Sequence, residues 1–391
     1  MNLLPLLIFS ISTMVTLSVD IYLPALPIIQ EYFSANATTT QASFGLGFLA
    51  SGLGGLIFGP LSDRWGRKWI FIFTALLTVL GCFLCVFSWS IDIFNAARFV
   101  QGIGIGGSWV LVYAILAESY EEKHAAIMVS YMGTLHTMMY VLAPIIGGYV
   151  TEYYGWKWCF LIPAISLIPG ILLSVFFFKE APALAHNHSL TETYTNFYHI
   201  IKNKFFISFG MVLSLVVGCL MIPWSSLPLV FIKQMGMGEK DFGLLLGFIP
   251  IAESLTTFVA RPIIKKHGLD YVLKVGLSVA FFGSIAFLTA TIFFGDNPYA
   301  VMGALAFFST SLPLLFPPVL SRCITIFPNL KGTASALLSA SRYIAIGLLS
   351  LLGSALYDGT LIPAAVTMIF VSFAAFLMWK ISLKSDSSPV V

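Results

Sequence analysis

The sequence predicts an all-α membrane protein of twelve transmembrane helices in two six-helix bundles, and three observations predict it. Only 9% of the 391 residues are charged and the mean hydropathy is +0.94, whereas a soluble domain carries roughly 25% charged residues. Twelve apolar runs approach the ~20 residues that a spanning helix needs. A polar stretch divides those runs into six and six. So few charges cannot cover a water-soluble particle of this size. Most of the surface must face lipid, where the backbone has to satisfy its own hydrogen bonds.

In chain order the first six runs lie at 3–29, 41–61, 69–89, 93–116, 125–150 and 158–178. The next six lie at 205–232, 242–259, 271–294, 299–326, 332–357 and 361–381. The first run is too long for the apolar part of a signal peptide and has no basic residues before it, so it reads as a retained span. Residues 179–204, with His186, His188 and His199, read as a linker. This gives an N-terminal bundle over 1–178, a cytoplasmic linker over 179–204 and a C-terminal bundle over 205–391. Two neighbouring histidines without further ligands point to a polar loop, and no metal site is expected.

Lys and Arg placement sets the orientation. Fifteen of the twenty lie on the side of the N-terminus, against Lys157, Lys233 and Lys240 opposite, with Arg98 and Arg342 inside spans. Both termini are therefore expected in the cytoplasm. A net charge of +3 gives no reason to expect a nucleic-acid partner. Cys82 and Cys85 form a C-x-x-C, but within an apolar run, where thiolates are disfavoured and packing is the better reading.

Spans one and seven echo each other: Leu23-Pro24 precedes Gln30 as Leu227-Pro228 precedes Gln234. Two parallel halves would place a binding site between them near the membrane midplane. Pro24, Pro27, Pro223 and Pro228 would kink both spans beside it.

Between spans two and three stands Gly59-Pro60-Leu61-Ser62-Asp63-Arg64-Trp65-Gly66-Arg67-Lys68. It fits G-x-x-x-D-R-x-G-R-[RK] at every defined position, and on it the chain resembles the major facilitator superfamily. The resemblance implies the major facilitator fold, a secondary transporter and a gating loop formed by Gly59, Asp63, Arg64, Gly66, Arg67 and Lys68. Asp63 can pair with cations or a helix N-terminus across the two halves, holding one shape closed until the pair breaks. The matching loop of the second half keeps Gly268 but has Lys265 where the acid would stand.

Span four opens with Arg98-Phe99-Val100-Gln101-Gly102, which resembles the family's R-x-x-Q-G motif, whose arginine is associated with proton coupling. Gly102, Gly104 and Gly107 also spell G-x-G-x-x-G, but no strand precedes them, so close helix packing explains them better than a dinucleotide. In span five, Pro144, Gly147 and Gly148 match the family's antiporter motif G-x-x-x-G-P-x-x-G-G, while Met139 and Ala143 replace its first two glycines. With Asp20-Ile21-Tyr22-Leu23-Pro24-Ala25-Leu26-Pro27 and Gly155-Trp156-Lys157-Trp158-Cys159-Phe160, the resemblance narrows to the Bcr/CflA-type branch of bacterial drug:proton antiporters.

Asp20, Arg98, His136, Glu253 and Arg342 lie inside apolar runs, where each is expensive and therefore a functional candidate. A neutral Asp20 costs little to bury, while an ionised one needs a partner, for which Arg98 is the expectation. Proton coupling is thus assigned to Asp20 and Arg98, with His136 as a secondary proton carrier. Arg342 needs a carboxylate or an anionic substrate; Glu253 could be that carboxylate, or Arg342 could face the cavity unpaired. Tyr22, Tyr140, Trp224, Glu253, Arg342 and Tyr343 are the expected cavity residues, because aromatic walls suit amphipathic ligands.

The resemblance implies proton-driven export of small amphipathic molecules, drugs or metabolites, across a bacterial inner membrane by a monomer. A dedicated exporter of a siderophore or other anionic metabolite, and a proton-coupled importer, stay open. No G-x-x-x-x-G-K-[ST] occurs, so the energy must come from the proton gradient rather than a bound cofactor.

Overall fold

The computed structural model describes residues 4–178, 190–328 and 330–385. The N-terminal half runs α1 (Leu4–Asp20), α2 (Leu26–Tyr32), α3 (Ala37–Trp65), α4 (Arg67–Val86), α5 (Ile91–Ser119), α6 (Glu122–Tyr154) and α7 (Trp158–Phe177). After α8 (Leu190–Lys202) come α9 (Lys204–Met221), α10 (Glu239–Leu246), α11 (Phe248–His267), α12 (Leu269–Phe293), α13 (Pro298–Ser309), α14 (Ser311–Thr325), α15 (Lys331–Ala355) and α16 (Ile362–Ser385). Among the described residues, twelve helical segments are long and apolar enough to cross a membrane. They fall where the apolar runs predict, because a bilayer-facing helix needs only length and apolarity to declare itself.

Polar residues start several of these helices. Asn36 accepts a hydrogen bond from Thr39 N at the head of α3 (2.7 Å), and Asn203 does the same for Phe206 N at α9 (2.9 Å). Each satisfies a backbone N–H that has no partner within its helix. The turns after α3 and α11 pass through Gly66 (φ +93°) and Gly268 (φ +79°), a region where a side chain is strained. Both halves therefore reverse at the same place by the same device.

Spans one and seven are broken where their prolines stand. Span one leaves α1 at Asp20, makes a tight turn over Leu23–Ala25 and resumes as α2. Span seven leaves α9 at Met221 and resumes as a wide π turn over Leu229–Gln234. Missing N–H groups and ring clashes explain both breaks. The linker departs from a pure loop: its second part is α8, which buries Phe197 and Ile200, exposes His199, and packs against α3 and α15. His186 and His188 lie outside the described residues.

Small residues draw the helices together. Gly102 and Gly106 of α5 meet the α3 backbone at Gly47 and Ser51, and Gly104 meets α4 at Thr74 and Thr78. The halves join along two seams. In one, α3 lies on α15, so that a Cβ at Gly52 would stand 2.6 Å from Ile344 Cγ1. In the other, Pro144 and Gly148 of α6 abut Gly243 and Glu239 of α10. Ser226 donates to Gln41 Oε1 (2.8 Å), Lys233 Nζ to Gln30 Oε1 (2.9 Å) and Lys240 N to Glu152 Oε2 (3.3 Å). These three bonds join the halves at the end away from the basic loops.

Candidate functional site

Asp20 is the last residue of α1, so the break in span one leaves its carboxyl at a helix end inside the N-terminal half. It is 7% exposed, and its Oδ1 is sealed from solvent without a hydrogen-bond partner. The next residue, Ile21, presses its carbonyl against Gly147 of α6, where any side chain would collide with it. The proline-glycine motif of span five therefore touches two things at once: the break beside Asp20 and, through Gly148, the other half.

Arg98 of α5 is close enough to act on Asp20 electrostatically, but the expected ion pair is not formed. Its guanidinium lies 4.1 Å from the centre of the Tyr22 ring and 5.9 Å from that of Phe160, and Nη1 donates to Gln101 Oε1. Gln101 in turn donates to Cys82 Sγ at 3.1 Å, which gives one half of the C-x-x-C pair a packing role. Stacking on aromatic faces is how a buried guanidinium is accommodated without a carboxylate.

This corrects one expectation. Tyr22 does not border the space between the halves; it is fully buried among Arg98, Phe160 and Ser43, to whose hydroxyl its own stands at 3.3 Å. Trp224 is buried at the break in span seven, and Glu253 is half-buried on α11. Among the described residues, neither side chain makes a hydrogen bond, ion pair or ring contact. Glu253 is therefore not the partner of Arg342.

His136 is bonded at both ring nitrogens, to Ser12 Oγ at Nε2 (2.8 Å) and to Tyr113 Oη at Nδ1 (3.2 Å). The chain ties α1, α6 and α5 together. One turn before Tyr113, Trp109 donates to Thr16 Oγ1 at 2.9 Å and stacks on Tyr343 of α15, with centroids 4.9 Å apart. Phe48 of α3 flanks the same ring at 6.3 Å. Arg342 lies 5.1 Å from the Tyr343 ring and 5.4 Å from Phe316, and it makes no hydrogen bond or ion pair among the described residues. Tyr140 of α6 is within electrostatic reach of Asp20, Tyr113, Arg342 and Tyr343.

The structure thus gathers Tyr140, Arg342 and Tyr343 with Trp109, Tyr113 and His136 where the halves face each other. Sequence reasoning missed Trp109 and Tyr113. Their signal was spacing: Arg98, Gln101, Ile105, Trp109 and Tyr113 follow one another at three or four residues along one helix face.

At the loop between α3 and α4, Asp63 pairs with Arg67 of its own loop at 2.5 Å. Arg67 also grips Glu118 of α5 with two parallel bonds, Nε to Oε2 at 3.1 Å and Nη2 to Oε1 at 2.6 Å. Lys68 donates to the Val175 carbonyl at 2.8 Å, while Arg64 is exposed. The loop is therefore fastened within the N-terminal half.

The sequence profile of the Major Facilitator Superfamily matches residues 8–350. The chain is a member of that superfamily. It is a transporter rather than an enzyme, with the all-α fold of two six-helix bundles. The chloramphenicol resistance protein CraA of Acinetobacter baumannii is 26% identical over 70% of this chain and 66% of its own length, just under two thirds. The multidrug resistance protein MdtL of Shewanella sp. (strain ANA-3) is 24% identical over 96% of this chain and 93% of that protein. Such relatives accord with the Bcr/CflA-type branch. The crystal structure of a D-xylose-proton symporter superposes with a TM-score of 0.75 at 14% identity, covering all of both chains, and attests the fold.

Proposed function

We propose that this transporter exports small amphipathic organic molecules across a bacterial inner membrane in exchange for protons, as a monomer with both termini in the cytoplasm. The observation that carries the reading is Asp20: a carboxyl held out of water, without a fixed ion pair, at a helix break that bears directly on Gly147. A buried acid with no permanent counter-charge is suited to exchange a proton in step with a change of shape. The drug-resistance names of the relatives support the substrate class and the direction. Fifteen basic residues on one side support the orientation. With those loops in the cytoplasm, the seam between α6 and α10 closes the outer end, and substrate enters from inside.

In this reading Asp20 binds the proton, Arg98 biases it from its place over Tyr22, and the loop of Gly59, Asp63, Arg64, Gly66, Arg67 and Lys68, held here within the N-terminal half, latches the inner end when that end closes in turn. Each proton brings about 1.4 kcal/mol per pH unit and about 2.3 kcal/mol per 100 mV.

Proton release from purified protein in detergent on addition of candidate substrates tests the reading. Wild type releases protons and Asp20→Asn does not; equal release from both would remove Asp20 from the mechanism. Accumulation of substrate in the importing direction by energised vesicles would overturn export. A dedicated exporter of anionic metabolites is the second reading, favoured by the unpaired Arg342.

A further inference from the structure

The export reading leaves the charge of the substrate open, and the surroundings of Arg342 bear on it. A guanidinium in mid-span is expensive unless something answers its charge. Here the expected carboxylate, Glu253, does not pair with it, and among the described residues Arg342 lies against the rings of Tyr343 and Phe316 without a hydrogen bond or ion pair. From the other half, Tyr113 and Tyr140 lie within its electrostatic reach, and Trp109 stacks on its neighbour Tyr343. Both bundles therefore contribute aromatic rings to the space around this fixed positive charge.

We infer that Arg342 is a specificity-determining residue that selects aromatic substrates carrying oxygen acceptors and turns away organic cations; this rests on the export reading above. The five donors of the guanidinium are fixed in a planar fork that suits carboxylate, carbonyl or nitro oxygens. The rings around it offer a ligand stacking faces without demanding one shape. A cation entering the same space meets a like charge in surroundings that screen it poorly.

Three small aromatic probes separate the possibilities at pH 7: salicylate, its uncharged analogue salicylamide, and the cation ethidium. Isothermal titration of the purified transporter in detergent is expected to give salicylate and salicylamide at least about tenfold tighter binding than ethidium. Arg342→Gln weakens salicylate by about tenfold or more, the scale of a lost charge-assisted hydrogen bond, and lets ethidium gain. Arg342→Lys, which keeps the charge, preserves the order of the three. Ethidium binding as tightly as salicylate in wild type, or an order unmoved in Arg342→Gln, would overturn the inference. The titration needs no gradient. A vesicle assay that shows import, or no proton exchange, sinks the export reading, while the three affinities still decide this one.

Discussion

Tyr343 of α15 stacks on Trp109 of α5 with ring centroids 4.9 Å apart and planes inclined by 29°. This stack joins the two halves well inside the molecule, and Trp109 is held for it by a hydrogen bond to Thr16 of α1. Offset aromatic pairs of this kind contribute about 0.5–1.5 kcal/mol beyond their buried area. A double-mutant cycle of Trp109→Leu and Tyr343→Leu, followed by thermal unfolding in detergent, should return a coupling of that size. A coupling near zero would mean that the rings touch without holding the halves.

The seam between α6 and α10 makes a second expectation. Gly148 and Gly243 let the two backbones meet, and a leucine at either position would force them apart. Because Lys233 reaches Gln30 across the same end, cysteines placed at 30 and 233 and bridged by a short bifunctional thiol reagent report whether that end is closed. They should cross-link readily in an otherwise wild-type chain and poorly in Gly148→Leu, with transport lost and the folded, monodisperse protein retained. Undiminished cross-linking in Gly148→Leu would show that the seam does not set the closure.

Arg67 answers two carboxylates at once, and its paired bonds to Glu118 need the planar fork. Arg67→Lys keeps the charge and loses that geometry. The expected cost is about 1–2 kcal/mol for partly buried, charge-assisted bonds, seen as a lower unfolding temperature than wild type. Glu118→Gln should cost a similar amount, and the double variant less than the sum, since both changes break the same contact. Strict additivity would separate the two effects.

His136 occupies both of its nitrogens with Ser12 and Tyr113. Its foremost role is then to hold α1, α5 and α6 together, and the secondary proton carrier expected from sequence is better read as a strut. His136→Ala leaves the buried Ser12 hydroxyl without a partner and frees the more exposed Tyr113 hydroxyl, and should destabilise by about 1–3 kcal/mol. His136→Gln, which retains a donor and an acceptor, should recover most of that stability and release protons on substrate addition as wild type does. Stable His136→Gln protein that no longer releases protons would return the histidine to the proton path.

The fold was legible because a lipid-facing helix announces itself by length and composition alone, and the breaks in spans one and seven were legible because proline acts locally. The site was legible only in part. Asp20, Arg98 and Arg342 stood out because charge is rare in apolar runs, but their partners depend on how helices rotate about their axes. That is why Arg98 was expected on Asp20 and is found on Tyr22 and Gln101. The same ignorance of rotation put Tyr22 on the cavity wall, although it points into the bundle. Trp109 escaped because one tryptophan in an apolar helix carries no mark of its own. The second part of the linker, as α8, shows the opposite case, in which a helix that is strongly amphipathic but of low overall apolarity was hidden beside a histidine-bearing polar run.

The interruptions of spans one and seven are built from proline rings, whose φ angles are nearly fixed. An elbow of that kind resists bending, unlike one made of glycine. With the elbows so constrained, the travel needed to expose the interior to one side and then the other falls on the packed seams between the bundles. Sluggish or stuck variants should then map to those sliding surfaces and spare the elbows.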